Sequence, residues 1–187
     1  MQPGKPNPDI RNVVEDNRGI IKKIQLHIPG FKEYRIGDDL RVADALLRKQ
    51  VSENLNNSIT KLQSVRSDLA SDGNFQNLTM IGSVLSKLQQ LDGEILHSAQ
   101  GYTGISPAVR IDESKLKSLY QYDLAFLDSA SKIDEESGQL QNTDSKDSGA
   151  MRNITKTMED LIFQVRTNWE KRLETVENIL ISGGGQK

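Results

Sequence analysis

The C-terminal stretch carries the pattern that most restricts what this chain can fold into. From Met151, the residues Ile154, Met158, Ile162, Val165, Trp169, Leu173, Val176 and Leu180 recur in eight steps over 29 residues. The mean step is close to the 3.6 residues of an α-helical turn, so these side chains stay on one face of a straight helix, where a strand would need a period of two. A stripe this narrow leaves most of the helix surface polar and has to be buried against other helices.

The same spacing occurs upstream. Leu40, Ala43, Leu47, Val51, Leu55, Ile59, Leu62, Val65 and Leu69 again take eight steps over 29 residues. Shorter stripes run through Leu78, Ile81, Leu85, Leu88, Leu91, Ile95 and Ala99, and through Leu116, Leu119, Tyr120, Leu124, Leu127, Ala130 and Ile133. Val13, Val14, Ile20, Ile21, Ile24 and Ile28 mark a first, short helix. The spacing predicts an all-α fold, an elongated up-and-down four-helix bundle with a short additional N-terminal helix. A mean step of 3.6 rather than 3.5 favours a packed bundle over a long two-stranded coiled coil.

Breaker residues set the boundaries. Pro29-Gly30 ends the first helix, Asp38 or Asp39 is available to cap the second, Gly73 in "SDGN" suits the position after its end, and Asp112 is placed to cap the fourth. Residues 1–9, with three prolines, form an expected disordered lead. One domain is expected over 10–181, with a mobile linker at 137–149 inside it, where small polar residues bury too little apolar area to offset ordering, and a disordered tail at 182–187.

Composition removes several activities. Apolar residues are 35% and aromatics 5% against 27% charged, so the core is aliphatic and narrow. The absence of cysteine excludes disulfides, thiolate metal sites and a cysteine nucleophile. No apolar run reaches the roughly 18 residues of a membrane span, and a cytoplasmic protein is expected. Residues 1–70 hold 12 basic and 9 acidic side chains, residues 71–187 hold 12 and 17, an imbalance too small for a nucleic-acid module. The isoleucines and lysines of "GIIKKIQLHIPGFK" raise attachment to a membrane surface as an alternative. Glu15 and Asp16 make that helix less cationic than interfacial binders, and packing on the bundle explains the same isoleucines.

The groups that make or break covalent bonds do not gather. "GYTGISPAVR" at 101–110 lacks the lysine and the preceding strand of a phosphate-binding loop and reads as a helix corner. Glu94-Ile95-Leu96-His97 has the E-x-x-H spacing of di-iron bundles, but the other histidine, His27, has Ile24 where its glutamate belongs, so no metal and no cofactor is expected. No G-x-S-x-G elbow is present. Asp123, beside Tyr120 and Tyr122, suggests a buried hydrogen-bonded polar spot at the bundle end. Should the corner bind a small molecule or anion, the candidate residues are Tyr102, Ser106, Arg110, Tyr120 and Asp123.

The segments "HIPGFKEYR", "DLRVADALLRKQV" and "GYTGISPAVRIDESKLKSLYQYDLAFLD" together resemble a family of uncharacterised prokaryotic helical proteins, over residues 27 to 130. Its members carry a Pro-Gly-aromatic-x-x-Tyr turn before a charged helix, then a Tyr-Gly-Tyr-x-Gly loop and an acidic helix with a Leu-Tyr-x-x-Asp-Leu core. This chain departs at Gln100, where the family has an aromatic, and in "RIGDDLR", where the family helix is more basic. The resemblance brings no activity and no catalytic residue; it implies that the Tyr102 loop, Tyr120, Asp123 and Leu124 form one structural unit. Taken together, the expectation is a non-enzymatic interaction or scaffolding protein that meets a protein partner or another copy of itself, with a ligand-binding corner or a membrane-attached first helix as alternatives.

Overall fold

The computed structural model describes residues 10–98 and 110–183, with side chains described from 16 to 179. Five helices follow one another: α1 (Ile10–His27), α2 (Gly37–Ser71), α3 (Phe75–His97), α4 (Glu113–Gln141) and α5 (Ser148–Gly183). At about 1.5 Å per residue, the 35 and 36 residues of α2 and α5 give rods on the order of 50 Å long. The expected all-α bundle is the observed one. Among the described residues the only extended pairing is an antiparallel bridge between Ile36 and Arg110, just ahead of α2 and α4.

Two tight turns build the bundle from two hairpins. Gly73 takes the left-handed conformation (φ +70°) at the end of α2, and the Asn74 side chain caps α3 by accepting from the Asn77 backbone N–H at 3.3 Å. In the second turn Asp147 accepts from the Ala150 N–H at 2.9 Å and starts α5. The turns are tied together where they meet: Asn74 Nδ2 donates to the Ser145 carbonyl at 2.7 Å, and Ser145 Oγ to Asp72 Oδ2 at 2.9 Å.

α2 packs against α3 and α4, and α5 against the same two helices, which places α3 and α4 on one diagonal of the bundle. Cross-links give the directions. Lys61 meets Asp134 at 2.8 Å, and the starts of α2 and α4 lie side by side at the Ile36–Arg110 bridge, so these two run parallel. Asn77 bonds Ser148 Oγ at 3.1 Å and Glu94 meets Arg166 at 3.0 Å, so α3 and α5 also run parallel. Direction alternates along the chain as expected, but antiparallel packing through a short connection applies only to α2–α3 and α4–α5. The connection over residues 98–112 is long enough to join opposite corners.

Three boundaries differ from expectation. α2 begins at Gly37 with Ile36 as its cap residue and no side-chain cap, so Asp38 and Asp39 lie inside the first turn, where their charge faces the positive helix end. The expected linker at 137–149 narrows to 142–147: Ser137 Oγ donates to the Asp134 carbonyl and Leu140 is buried in the core, so α4 runs on to Gln141. α5 continues to Gly183, past the expected end of the domain. Residues 1–9, 99–109 (with Ala99 of the expected α3 stripe) and 184–187 lie outside the described residues.

α1 lies on α4 and buries Ile21, Ile24 and Ile28, with Asp16–Lys117 (3.0 Å) near one end and His27–Asp128 (2.8 Å) near the other. The isoleucines weighed for a membrane surface are therefore packed on protein. Among the described residues no helix is long and apolar enough to cross a membrane.

Candidate functional site

The end of the core where α2 and α4 begin holds a buried layer of charge. Its framework is the turn between α1 and α2. Gly30 (φ +84°) turns the chain after Pro29, and Phe31 and Tyr34, both buried, point back under α4. The Tyr34 and Tyr120 rings are 4.7 Å apart between centroids, and Tyr120 brackets the Tyr34 backbone: its oxygen accepts from the Tyr34 N–H at 3.2 Å, while its O–H donates to the Tyr34 carbonyl at 2.8 Å.

From Tyr34 the polar chain runs inward. Its O–H donates to Asp123 Oδ2 at 2.6 Å, and Arg172 Nε donates to Asp123 Oδ1 at 2.6 Å. Arg172 Nη1 then reaches Asp44 Oδ1 at 2.7 Å. Both Arg172 and Asp123 are 0% exposed. The Arg172 guanidinium also sits 5.6 Å from the Trp169 ring, which stacks on Phe126 at 5.2 Å, so the ionic layer rests on an aromatic one. At the outer edge Arg48 Nε lies 2.8 Å from Asp44 Oδ2. Two carboxylates and two guanidiniums thus balance, and every ion has an opposite neighbour, as a low-dielectric interior demands.

Burial pushes the Asp123 carboxyl upward against the pull of Arg172 and the Tyr34 hydroxyl. Burial and the Asp123 charge hold the Tyr34 hydroxyl well above the ordinary tyrosine range, and burial raises Tyr120. These groups are fixed, paired and out of reach of solvent. A layer of this kind sets which helix faces meet.

Of the residues marked for a ligand at this corner, Tyr120 and Asp123 come together, both turned into the core and engaged by Tyr34. Arg110 is exposed, and its neighbour Ile111 donates its N–H to the Arg35 carbonyl at 3.0 Å. Tyr102 and Ser106 lie outside the described residues. The Pro29–Tyr34 turn and the Leu119–Leu124 stretch, two of the motifs read in the sequence, meet through Tyr34. Sequence reasoning missed Tyr34, Asp44, Arg48 and Arg172. For two of them a signal was present: Asp44 and Arg48 stand at i and i+4, one place off the α2 stripe.

The E-x-x-H pair is spread over the surface. Glu94 accepts from Arg166 Nε at 3.0 Å and Gln90 Nε2 at 2.7 Å, and His97 is exposed. Among the described residues no group of three or more histidine, cysteine or acidic side chains is placed to hold a metal ion.

On the outside, α2 and α3 enclose an open groove of about 500 Å³ lined by Arg48, Lys49, Glu53, Asn57 and Leu96 among others. Val42 (63% exposed) and Leu46 (38%) continue the helical stripe of Lys49 and Glu53, and Leu96 (45%) forms the α3 wall. No family model matches the chain, and no curated protein or solved structure matches it either. Fold and site therefore define a class by geometry alone: a helical bundle keyed by an internal ion network.

Proposed function

We propose that this protein is a non-enzymatic interaction module whose α2–α3 face meets a protein partner or a second copy of the chain. The carrying observation is the exposed pair Val42 and Leu46 on α2, in helical register with Lys49 and Glu53 of a groove whose α3 wall is the exposed Leu96. Apolar side chains grouped on one face and rimmed by charge favour association, since covering them removes apolar area from water. The inward-facing polar groups support the same reading: Tyr34, Asp44, Asp123 and Arg172 satisfy one another in the core, and a substrate in solution cannot reach them.

Size-exclusion chromatography with light scattering, together with pull-down from native lysate, tests the reading. The expected result is a complex, with itself or a retained protein, that Leu46→Glu abolishes without changing the far-UV circular dichroism. A strict monomer retaining no partner, or a complex indifferent to Leu46→Glu, counts against it.

A further inference from the structure

The outer side of α2 carries a second pattern, distinct from the one that builds the core. Asp39, Val42, Leu46, Lys49 and Glu53 are all exposed, and Val42 and Lys49 stand on the far side of the helix from the buried Leu40, Leu47 and Val51. The five recur in four steps over 14 residues, a spacing of 3.5, which is that of a seam between two helices rather than the 3.6 of the core stripe. The side chains run in the order acid, apolar, apolar, base: Asp39, then Val42 at 63% and Leu46 at 38% exposed, then Lys49. Reversed end to end, that order is its own electrostatic complement. A copy laid antiparallel on the stripe sets its Lys49 against Asp39 and its Leu46 against Val42, whereas a parallel copy sets like charges against each other. Glu53, 3.8 Å from Lys49, holds the lysine head on the stripe.

We propose that this stripe is the contact surface of a homodimer, in which the α2 helices of two copies pack antiparallel across a two-fold axis midway between Val42 and Leu46. The proposal rests on the interaction reading above and names the partner as a second copy of this chain. The contact is isologous: the Asp39–Lys49 pair occurs twice, once on either side of the axis, and each Val42 covers the Leu46 of the other copy. The apolar pair removes area from water, and the two ion pairs fix direction and register. A slip of one turn sets Asp39 against either Glu53 or Leu46 of the other copy, so Glu53 also guards the register. The stripe spans about 21 Å of helix, less than a permanent dimer uses, so a weak dimer in exchange with monomer is expected.

The test is sedimentation equilibrium of the full chain from about 10 µM to about 1 mM, a range over which the wild type is expected to pass from monomer to dimer. Asp39→Lys and Lys49→Glu each turn both attractive pairs into repulsive ones, and each is expected to weaken the dimer by about tenfold. Mixed in equal amounts, the two variants are expected to dimerise with one another as tightly as the wild type, because both cross-pairs are again opposite in sign. Dimerisation of the mixture also certifies the fold of both variants. Should far-UV circular dichroism show either one unfolded, Asp39→Asn and Lys49→Gln carry the test as a double-mutant cycle, the double variant being expected to dimerise no more weakly than the single ones. A wild type that stays monomeric to the top of the range, single variants as tight as the wild type, or a mixture no tighter than its components overturns the proposal. The broader interaction reading fails separately: a monomer that retains another protein through Leu46 removes only the second copy, and a monomer that retains nothing removes both.

Discussion

Arg172 is the residue on which most of the core's polarity converges. It spans Asp123 and Asp44 from α5, bringing together α4 and α2, and through Asp123 it fixes Tyr34 in the α1–α2 turn. Breaking a buried ionic group by deleting one partner strands the others, which costs about 3–5 kcal/mol. Arg172→Met is expected to lower unfolding stability by about that amount in urea denaturation, with Arg172→Lys intermediate, because a single ammonium cannot bridge two carboxylates as a fork does. A loss under about 1 kcal/mol for Arg172→Met would mean that the network contributes little. The sequence hid this residue for a physical reason. The α5 stripe passes through Leu173, which is partly buried, while Arg172, one place earlier, is fully buried. Apolar periodicity locates a face to within a residue or so, and it is blind to an ion whose partners lie 49 and 128 positions away. Asp123 was legible because Tyr120 sits one turn before it on an otherwise apolar face.

Among elements, periodicity and capping signals carried different amounts of information. Every residue of the α2 stripe, Leu40 to Leu69, is buried, because a bundle helix in contact with neighbours on two sides hides whatever keeps the 3.6 step. The end of α4 was illegible for the opposite reason: Ser137 and Gly138 are poor helix formers, while the burial of Ser137 and Leu140 ties the segment to the core. α1 is the least supported helix. It rests chiefly on α4, and its buried Asn17 Oδ1 finds no hydrogen-bond partner among the described residues. Native-state hydrogen exchange is expected to show the amides of Ile20–His27 opening at lower free energy than those of α2 between Leu47 and Leu62. Ile24, fully buried, is the main anchor, so Ile24→Ala is expected to lower the opening free energy of α1 by about 2–5 kcal/mol and leave the middle of α2 nearly unchanged. Equal opening free energies for the two helices in the wild type would show instead that α1 unfolds only with the whole bundle.

At the scale of the molecule, the buried layer links ionisation to global stability, and the direction follows from the tyrosines. Tyr34 is raised well above its ordinary value by burial and then by Asp123, and Tyr120 is raised by burial. A group whose folded-state pKa lies above its unfolded value contributes stability that is fully present below the unfolded pKa. That stability is lost as the pH climbs from there toward the folded value. Unfolded tyrosine titrates near about pH 10, so the loss begins there, at up to about 1.4 kcal/mol per pH unit for each tyrosine. Asp123 acts in a separate window. Burial raises its carboxyl too, so its contribution improves as the pH falls toward the ordinary carboxylate range, far from the alkaline limb. Urea midpoints followed from about pH 8 to about pH 11 are expected to fall steeply past pH 10 in the wild type. Tyr34→Phe starts lower, having lost its bond to Asp123, but its alkaline slope is expected to be shallower, and Tyr120→Phe to share that flattening. Every ionisable group outside the layer is common to all three proteins, so the difference in slope isolates the buried pair. Parallel slopes in wild type and both variants would mean that the hydroxyls are not held neutral in the fold, and that the layer joining the α1–α2 turn to α4 and α5 opens to water before the bundle unfolds.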